Sequence, residues 1–244
     1  MLKHIDDLLL TIINEFQPTK ILVELDEARL TIIRDLIEDE SIGIEIRGLE
    51  MQSARNDAEF EKINKNSAND SESNGSTDII DKIASMQEKA TALTNVQVGK
   101  EFFFIIEYAD KKGIDIIPID ISLDEVAKSL SEIDEGEMEN FISEIDHVSS
   151  ESGEKKFLEE YQELTSNLNN PDFLDGLVGK LKDEMPGIYR ILIADRNQRM
   201  AENISKVVNK SDADARILVV TGAGHLAGVS DKLAQYRQDG EFQQ

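Results

Sequence analysis

Three short apolar runs constrain this chain more than any other feature. They occupy residues 20–25 (KILVEL), 114–119 (IDIIPI) and 216–221 (RILVVT), and long stretches with helical spacing separate them. A short run that is apolar almost throughout is the pattern of a strand buried on both faces, and such a strand needs helices above and below it. The order helix, strand, helix recurs from the first thirty residues onward. The expected fold is therefore α/β, a central parallel or mixed sheet flanked by helices. Pro118 places the second run at a strand end or a sheet edge, because proline cannot donate to a ladder.

The helical segments follow from apolar spacing. In residues 5–16, Leu8, Leu9, Ile12, Ile13 and Phe16 share one face, and Pro18 ends the run. Asp26 is placed to cap a helix with the stripe Leu30, Ile33 and Leu36/Ile37. Residues 64–78 are polar throughout and are expected to form a disordered surface loop. Helices are expected at 79–92 and, more strongly, at 97–112, with Gly113 as the stop. Residues 123–185 read as an acidic helical insertion, with helices over 123–145, 155–168 and 171–182 and a turn at 149–153. Pro186 begins a long helix to about residue 209. After the third run, Gly222-Ala-Gly-His225 turns the chain into a last helix over about 226–237. The whole chain, 1–244, is expected to be a single domain.

Charge narrows the possible functions. Acidic residues number 50 and basic residues 26, for a net charge of −24. A chain so acidic has no positive surplus to neutralise phosphates, which argues against nucleic acid as a partner and against docking on anionic lipid. No apolar run is long enough for a membrane-spanning helix. The chain holds no cysteine, which excludes disulfides, zinc–thiolate sites and iron–sulfur clusters. A soluble, cytoplasmic protein is expected. The surplus negative charge either solvates the surface or draws cations toward a cleft.

Each strand candidate finishes in or near a chemically capable residue: Glu24, Asp120 and His225. In open α/β sheets, sites form beyond the carboxyl ends of parallel strands. If the strands are neighbours, two carboxylates and an imidazole converge there. Oxygen and nitrogen donors of this kind suit divalent zinc, manganese, cobalt or iron, and a carboxylate beside a metal can act as a general base. Of the three histidines, His4 and His147 lie in acidic helical surroundings and read as surface residues. His225 follows a strand and sits between glycines, where Gly222 and Gly224 allow close approach of a ligand. Arg196 falls near the apolar stripe of the long helix, after Leu192 and before Met200 at four-residue intervals. An inward arginine needs a carboxylate, and Glu24 and Glu101 are the candidates.

The segments Val23-Glu24-Leu25-Asp26-Glu27-Ala28-Arg29, Val98-Gly99-Lys100-Glu101-Phe102, Ile119-Asp120, Asp195-Arg196-Asn197-Gln198-Arg199-Met200-Ala201 and Val220-Thr221-Gly222-Ala223-Gly224-His225 occur in the order seen in TraB/PrgY pheromone-shutdown proteins. The chain resembles that family, which is similar to the Tiki metalloproteases and more remotely to erythromycin-esterase and ChaN-like proteins. The resemblance implies one active-site crevice, with Gly222 and His225 matching a Gly-x-x-His motif and Glu24 a strand-end glutamate. Asp195 and Arg196 match an acidic-Arg pair, and Gly99 and Glu101 a Gly-x-Glu segment. It further implies a metal-dependent hydrolase acting on peptides, with manganese, cobalt or zinc as cofactor. Glu24 and His225 would bind metal or activate water, with Asp120 as a further ligand, and Arg196 would hold a substrate carboxylate or oxyanion. The alternative is a non-catalytic protein that binds or sequesters peptides. The family's earlier Gly-x-x-His has no counterpart in these residues, and Ile121 stands where relatives often carry a basic residue.

Overall fold

The computed structural model of the protein describes residues 5–38, 82, 99–148, 151–167 and 170–239. Among them the three apolar runs form strands β1 (Lys20–Val23), β2 (Asp115–Pro118) and β3 (Ile217–Val220). They make one sheet in the order β2-β1-β3, parallel throughout. Among the described residues the sheet is parallel, β2 lies at its edge, and Pro118 is the last residue of that strand, as proline requires.

The central strand explains the layers. Ile21, Leu22 and Val23 are completely buried, and side chains alternate between faces along a strand. Ile21 and Val23 pack with Leu30 and Ile33 of α2 (Glu27–Glu38) and with Phe103, Ile105, Ile106 and Ala109 of α3 (Lys100–Lys112). Leu22 packs on the opposite side. There it meets Met200 and Ile204 of α9 (Asp195–Lys210) and Val229 of α10 (Ala223–Gln238). Helices therefore cover both faces, as the apolar runs demand.

Local signals set the helix ends. Asp26 caps α2 as its sequence position suggests, with its Oδ1 accepting from the Arg29 N–H at 2.8 Å. Gly113 ends α3 with φ of 66°, the left-handed conformation that glycine adopts without penalty. α1 (Ile5–Phe16) buries Ile13 and leans Leu9 on the first core layer, while Leu8, Ile12 and Phe16 stay exposed. Its apolar arc is wider than the face the core can cover.

The expected acidic insertion contains α4 (Leu123–Leu130), α5 (Glu135–Val148), α6 (Glu151–Asn167) and α7 (Pro171–Glu184). A capping box of Ser122 and Glu125 opens α4. Val126 and Leu130 form a third core with Ile188 and Ile191, which belong to the long helix announced by Pro186. That helix is interrupted. α8 (Pro186–Tyr189) passes into a π-helical turn, Arg190–Ala194, where the Asp195 N–H reaches back to the Arg190 carbonyl, and α9 follows directly. The last helix also differs from expectation. It begins at Ala223, so His225 lies in its first turn rather than in a loop before it. α6 begins at Glu151, inside the expected turn. The polar loop at 64–78, the helix expected at 79–92 and His4 lie outside the described residues.

A candidate active site at the carboxyl ends of the strands

Strand register builds this site. Val23 stands opposite Pro118 on one side and Val220 on the other, so the three strands finish level. Glu24 and Thr221 follow directly, and Asp120 comes after Ile119 with its N–H on the Leu25 carbonyl, so the three residues emerge close together. α10 returns His225 over them. Arg196 reaches in from the first turn of α9, and Arg29 from α2.

Glu24 lies at the centre. Its Oε2 accepts from the Thr221 hydroxyl and from the Gly222 N–H, each at 2.6 Å. Its Oε1 accepts from Arg196 Nη2 at 2.5 Å and lies 3.3 Å from His225 Nε2. Gly222 makes this approach possible: a Cβ there would meet Glu24 Oε2 at 3.3 Å, tighter than side chains normally pack.

Asp120 binds two arginines. Its Oδ2 accepts from Arg196 Nη2 at 2.7 Å and Arg29 Nη2 at 3.0 Å, while Oδ1 accepts from Arg196 Nε and from the Ile121 N–H. Its side chain is only 1 % exposed. Burial alone would push this carboxyl up. The hydrogen bonds and charge of Arg196, helped by Arg29, outweigh burial and hold it below the usual aspartate range. Arg196 answers in kind: burial opposes its charge, but Asp120 and then Glu24 raise its pKa further. Its Nη1 donates to the Leu192 carbonyl inside the π turn at 3.2 Å. Arg29 Nε is held by Asp26 Oδ2 at 2.8 Å.

His225 is 5 % exposed, and its Nδ1 lies 2.7 Å from Asn197 Oδ1. Burial lowers its pKa below the usual imidazole value, the charge of Arg196 adds to this, and Glu24 and Asp120 oppose it without prevailing. This shift favours the neutral ring. Glu101, on α3, is raised by burial and by the charge of Glu24.

The structure therefore brings Glu24, Asp120, Arg196 and His225 together, with Gly222 contributing a backbone donor. Arg196 does meet Glu24, but its other carboxylate is Asp120 and not Glu101. Asp195, in the first turn of α9, is exposed. Gly224 has open space around its Cα and no contact with the cluster. Sequence reasoning missed Asn197, Arg29 as a clamp, and Thr221. Asn197 did leave a signal, because buried Asn197, Met200, Ala201, Ile204 and Ser205 run at three- and four-residue spacing, and a lone amide in such a stripe must have a partner.

For a metal, the described residues offer a pair of donors and no more. Among them no group of three or more His, Cys, Asp or Glu side chains is arranged to hold an ion. Asp120 has its oxygens filled by arginine and backbone donors. Glu24 Oε1, which already accepts from Arg196 Nη2, and His225 Nε2 are then the nearest pair, one oxygen and one nitrogen. Their 3.3 Å separation fits two adjacent ligands of one ion, which at about 2.1 Å from the metal lie roughly 3.0–3.4 Å apart.

A parallel sheet clad by helices, with carboxylates, an imidazole and a guanidinium gathered past its strand ends, is the frame of an α/β domain with a polar cluster at the carboxyl end of its sheet. The sequence profile of the TraB/PrgY/gumN family matches residues 15–241, nearly the whole chain, and the protein belongs to that family. No match was found among curated proteins or among solved structures. Among the described residues, no helix is long and apolar enough to cross a membrane.

Proposed function

We propose that this TraB-family chain is a metal-dependent hydrolase acting on peptides, with manganese, cobalt or zinc held against Glu24 and His225. One observation carries the reading. Asn197 Oδ1 only accepts, so Nδ1 of the neutral ring is its protonated nitrogen and Nε2 keeps the lone pair. That lone pair lies 3.3 Å from Glu24 Oε1, another acceptor. Two acceptors at this distance need a proton or a metal cation between them, and a metal there would use both as ligands.

The surrounding charge agrees. Glu24, Asp26 and Asp120 are joined to Arg29 and Arg196, so three carboxylates face two guanidiniums and one negative charge is unmatched. A divalent cation supplies Lewis acidity toward a peptide carbonyl or acidifies a bound water. The chain's own residues do the rest. Thr221 and Gly222 fix Glu24 so that Oε1 faces His225, and Asn197 fixes the imidazole with Nε2 toward Glu24. Arg196 is engaged by Glu24, Asp120 and Leu192, so it sets the carboxylates in place, and its role is positioning rather than substrate binding.

Calorimetric titration of the full chain with manganese, cobalt and zinc tests this, alongside cleavage of a random peptide pool read by mass spectrometry with and without chelator. His225→Ala is expected to weaken metal binding at least tenfold. Peptide binding with no metal affinity and no cleavage would establish the sequestering alternative instead.

A further inference from the structure

Gly228 lies one turn beyond His225 on α10 and is half-buried against α9. A Cβ placed on it would fall inside the Asn197 side chain, 3.0 Å from Cγ and closer still to Nδ2. No other glycine described here meets a side chain so closely. Asn197 has no room to retreat, since it is 5 % exposed and its Oδ1 is engaged by His225 Nδ1.

The geometry points to Gly228 as a positioning residue: the missing side chain is the seat that lets Asn197 lie flat against α10 and hold His225 Nδ1. Asn197, His225 and Gly228 form one device. The amide presents Nδ2 to the glycine and Oδ1 to the ring, so any larger residue at 228 must turn the amide away from the imidazole. The inference deepens the reading of this site, because Nε2 faces Glu24 only while Nδ1 is held.

The alternative role of Gly228 makes the opposite prediction. Glycine inside a helix costs stability relative to alanine, so a site without the Asn197 contact gains from Gly228→Ala, by about 2–4 °C in Tm. The seat predicts the reverse. Gly228→Ala should lower Tm by about 3–8 °C, the scale of a lost buried hydrogen bond.

The test combines thermal unfolding with long-range ¹H–¹⁵N correlation spectra of the full chain, in which the three histidines are resolved and His225 is assigned by its loss in His225→Gln. In wild type, His225 should show one tautomer. In Gly228→Ala it should show averaged or exchanged ring-nitrogen shifts, with His4 and His147 unchanged. In an Asn197→Ala background, where no amide is left to displace, Gly228→Ala should become stabilising by about 2–4 °C. A Gly228→Ala protein that is more stable than wild type, or whose His225 shifts do not move, overturns the inference. If Gly228→Ala fails to fold, folding of the Asn197→Ala/Gly228→Ala double variant supports the seat, and failure of both overturns it. A wild-type ring protonated at Nε2 instead would remove the argument for a cation at Glu24, yet the sign of the Gly228→Ala effect would still decide the seat.

Discussion

The strand-end cluster and the helical region at 123–185 use charge in opposite ways. Around Glu24, the ion pairs join residues far apart in sequence, Arg196 with Glu24 and Asp120 and Arg29 with Asp120, apart from the local pair of Arg29 with Asp26. These groups are mostly buried and share hydrogen bonds. In the helical region Glu125 meets Arg199 of α9 across the fold, and the other ion pairs among the described residues are local, Lys155 with Glu159, Lys156 with Glu160 and Lys180 with Glu184. They are separated by 3.6–3.9 Å, and both members are well exposed. The first kind fixes the relation between secondary elements, at the cost of desolvation that must be offset by full partnering. The second supports one helix at a time and is screened by salt. A charge count is therefore a poor guide to what charges do, and connectivity is a better one.

Substitutions can break this contrast, beginning with the largest effect. Arg196→Met keeps an apolar stem and orphans the buried Asp120 along with Glu24. Urea unfolding should show a loss of about 3–5 kcal/mol. A loss under about 1 kcal/mol would put the cluster on the same footing as the surface pairs. Thr221→Val removes one hydroxyl donor from Glu24 Oε2, and the expected loss is about 2 kcal/mol, with Thr221→Ser restoring most of it.

The imidazole sharpens the comparison through pH. An unfolded histidine titrates near 6.5, and burial lowers that of His225 in the folded state. Between the two values the unfolded chain binds a proton that the native chain does not. Stability should therefore fall as pH drops from about 7.5 to about 5. His225→Gln, which has nothing to titrate in that range, should lose less over the same interval. Equal slopes would mean that the native ring titrates as it does in the unfolded chain. The smallest effect is expected in the helical region, where Lys180→Ala should change stability by no more than about 0.5 kcal/mol, and by less still in high salt.

The layers of the fold were legible because burial on both faces writes itself into composition. Residues 20–25, 114–119 and 216–221 could hardly be anything but interior strands, and their neighbourhood followed from the helices between them. The site was legible only as far as it depended on strand ends. Glu24, Asp120 and His225 were found that way, and Arg196 was found because a charge near an apolar stripe needs a partner. Its second partner was not, since whether Asp120 or Glu101 lies within reach depends on how far α3 stands from the sheet. The start of α10 was misread for a local reason. Gly222 is extended at the helix entrance, with φ of −60° and ψ of 146°, and Gly224 is simply helical, so neither glycine makes the turn that the pair suggests. The π turn has no compositional mark at all: Arg190-Ile-Leu-Ile-Ala194 is an ordinary helical sequence.

That wide turn has a geometric consequence. An α-helix rotates about 100° and rises about 1.5 Å with each residue. Removing a single residue between Arg190 and Ala194 would let the helix close into regular α geometry. A π turn holds one residue more than an α turn in nearly the same rotation, so Ile188 and Ile191, which anchor the third core, would keep their direction relative to Arg196. A residue added elsewhere in α9, with no widening to absorb it, would instead turn the outer helices by about 100°. The wide turn thus takes up one peptide unit while both cores keep their facing.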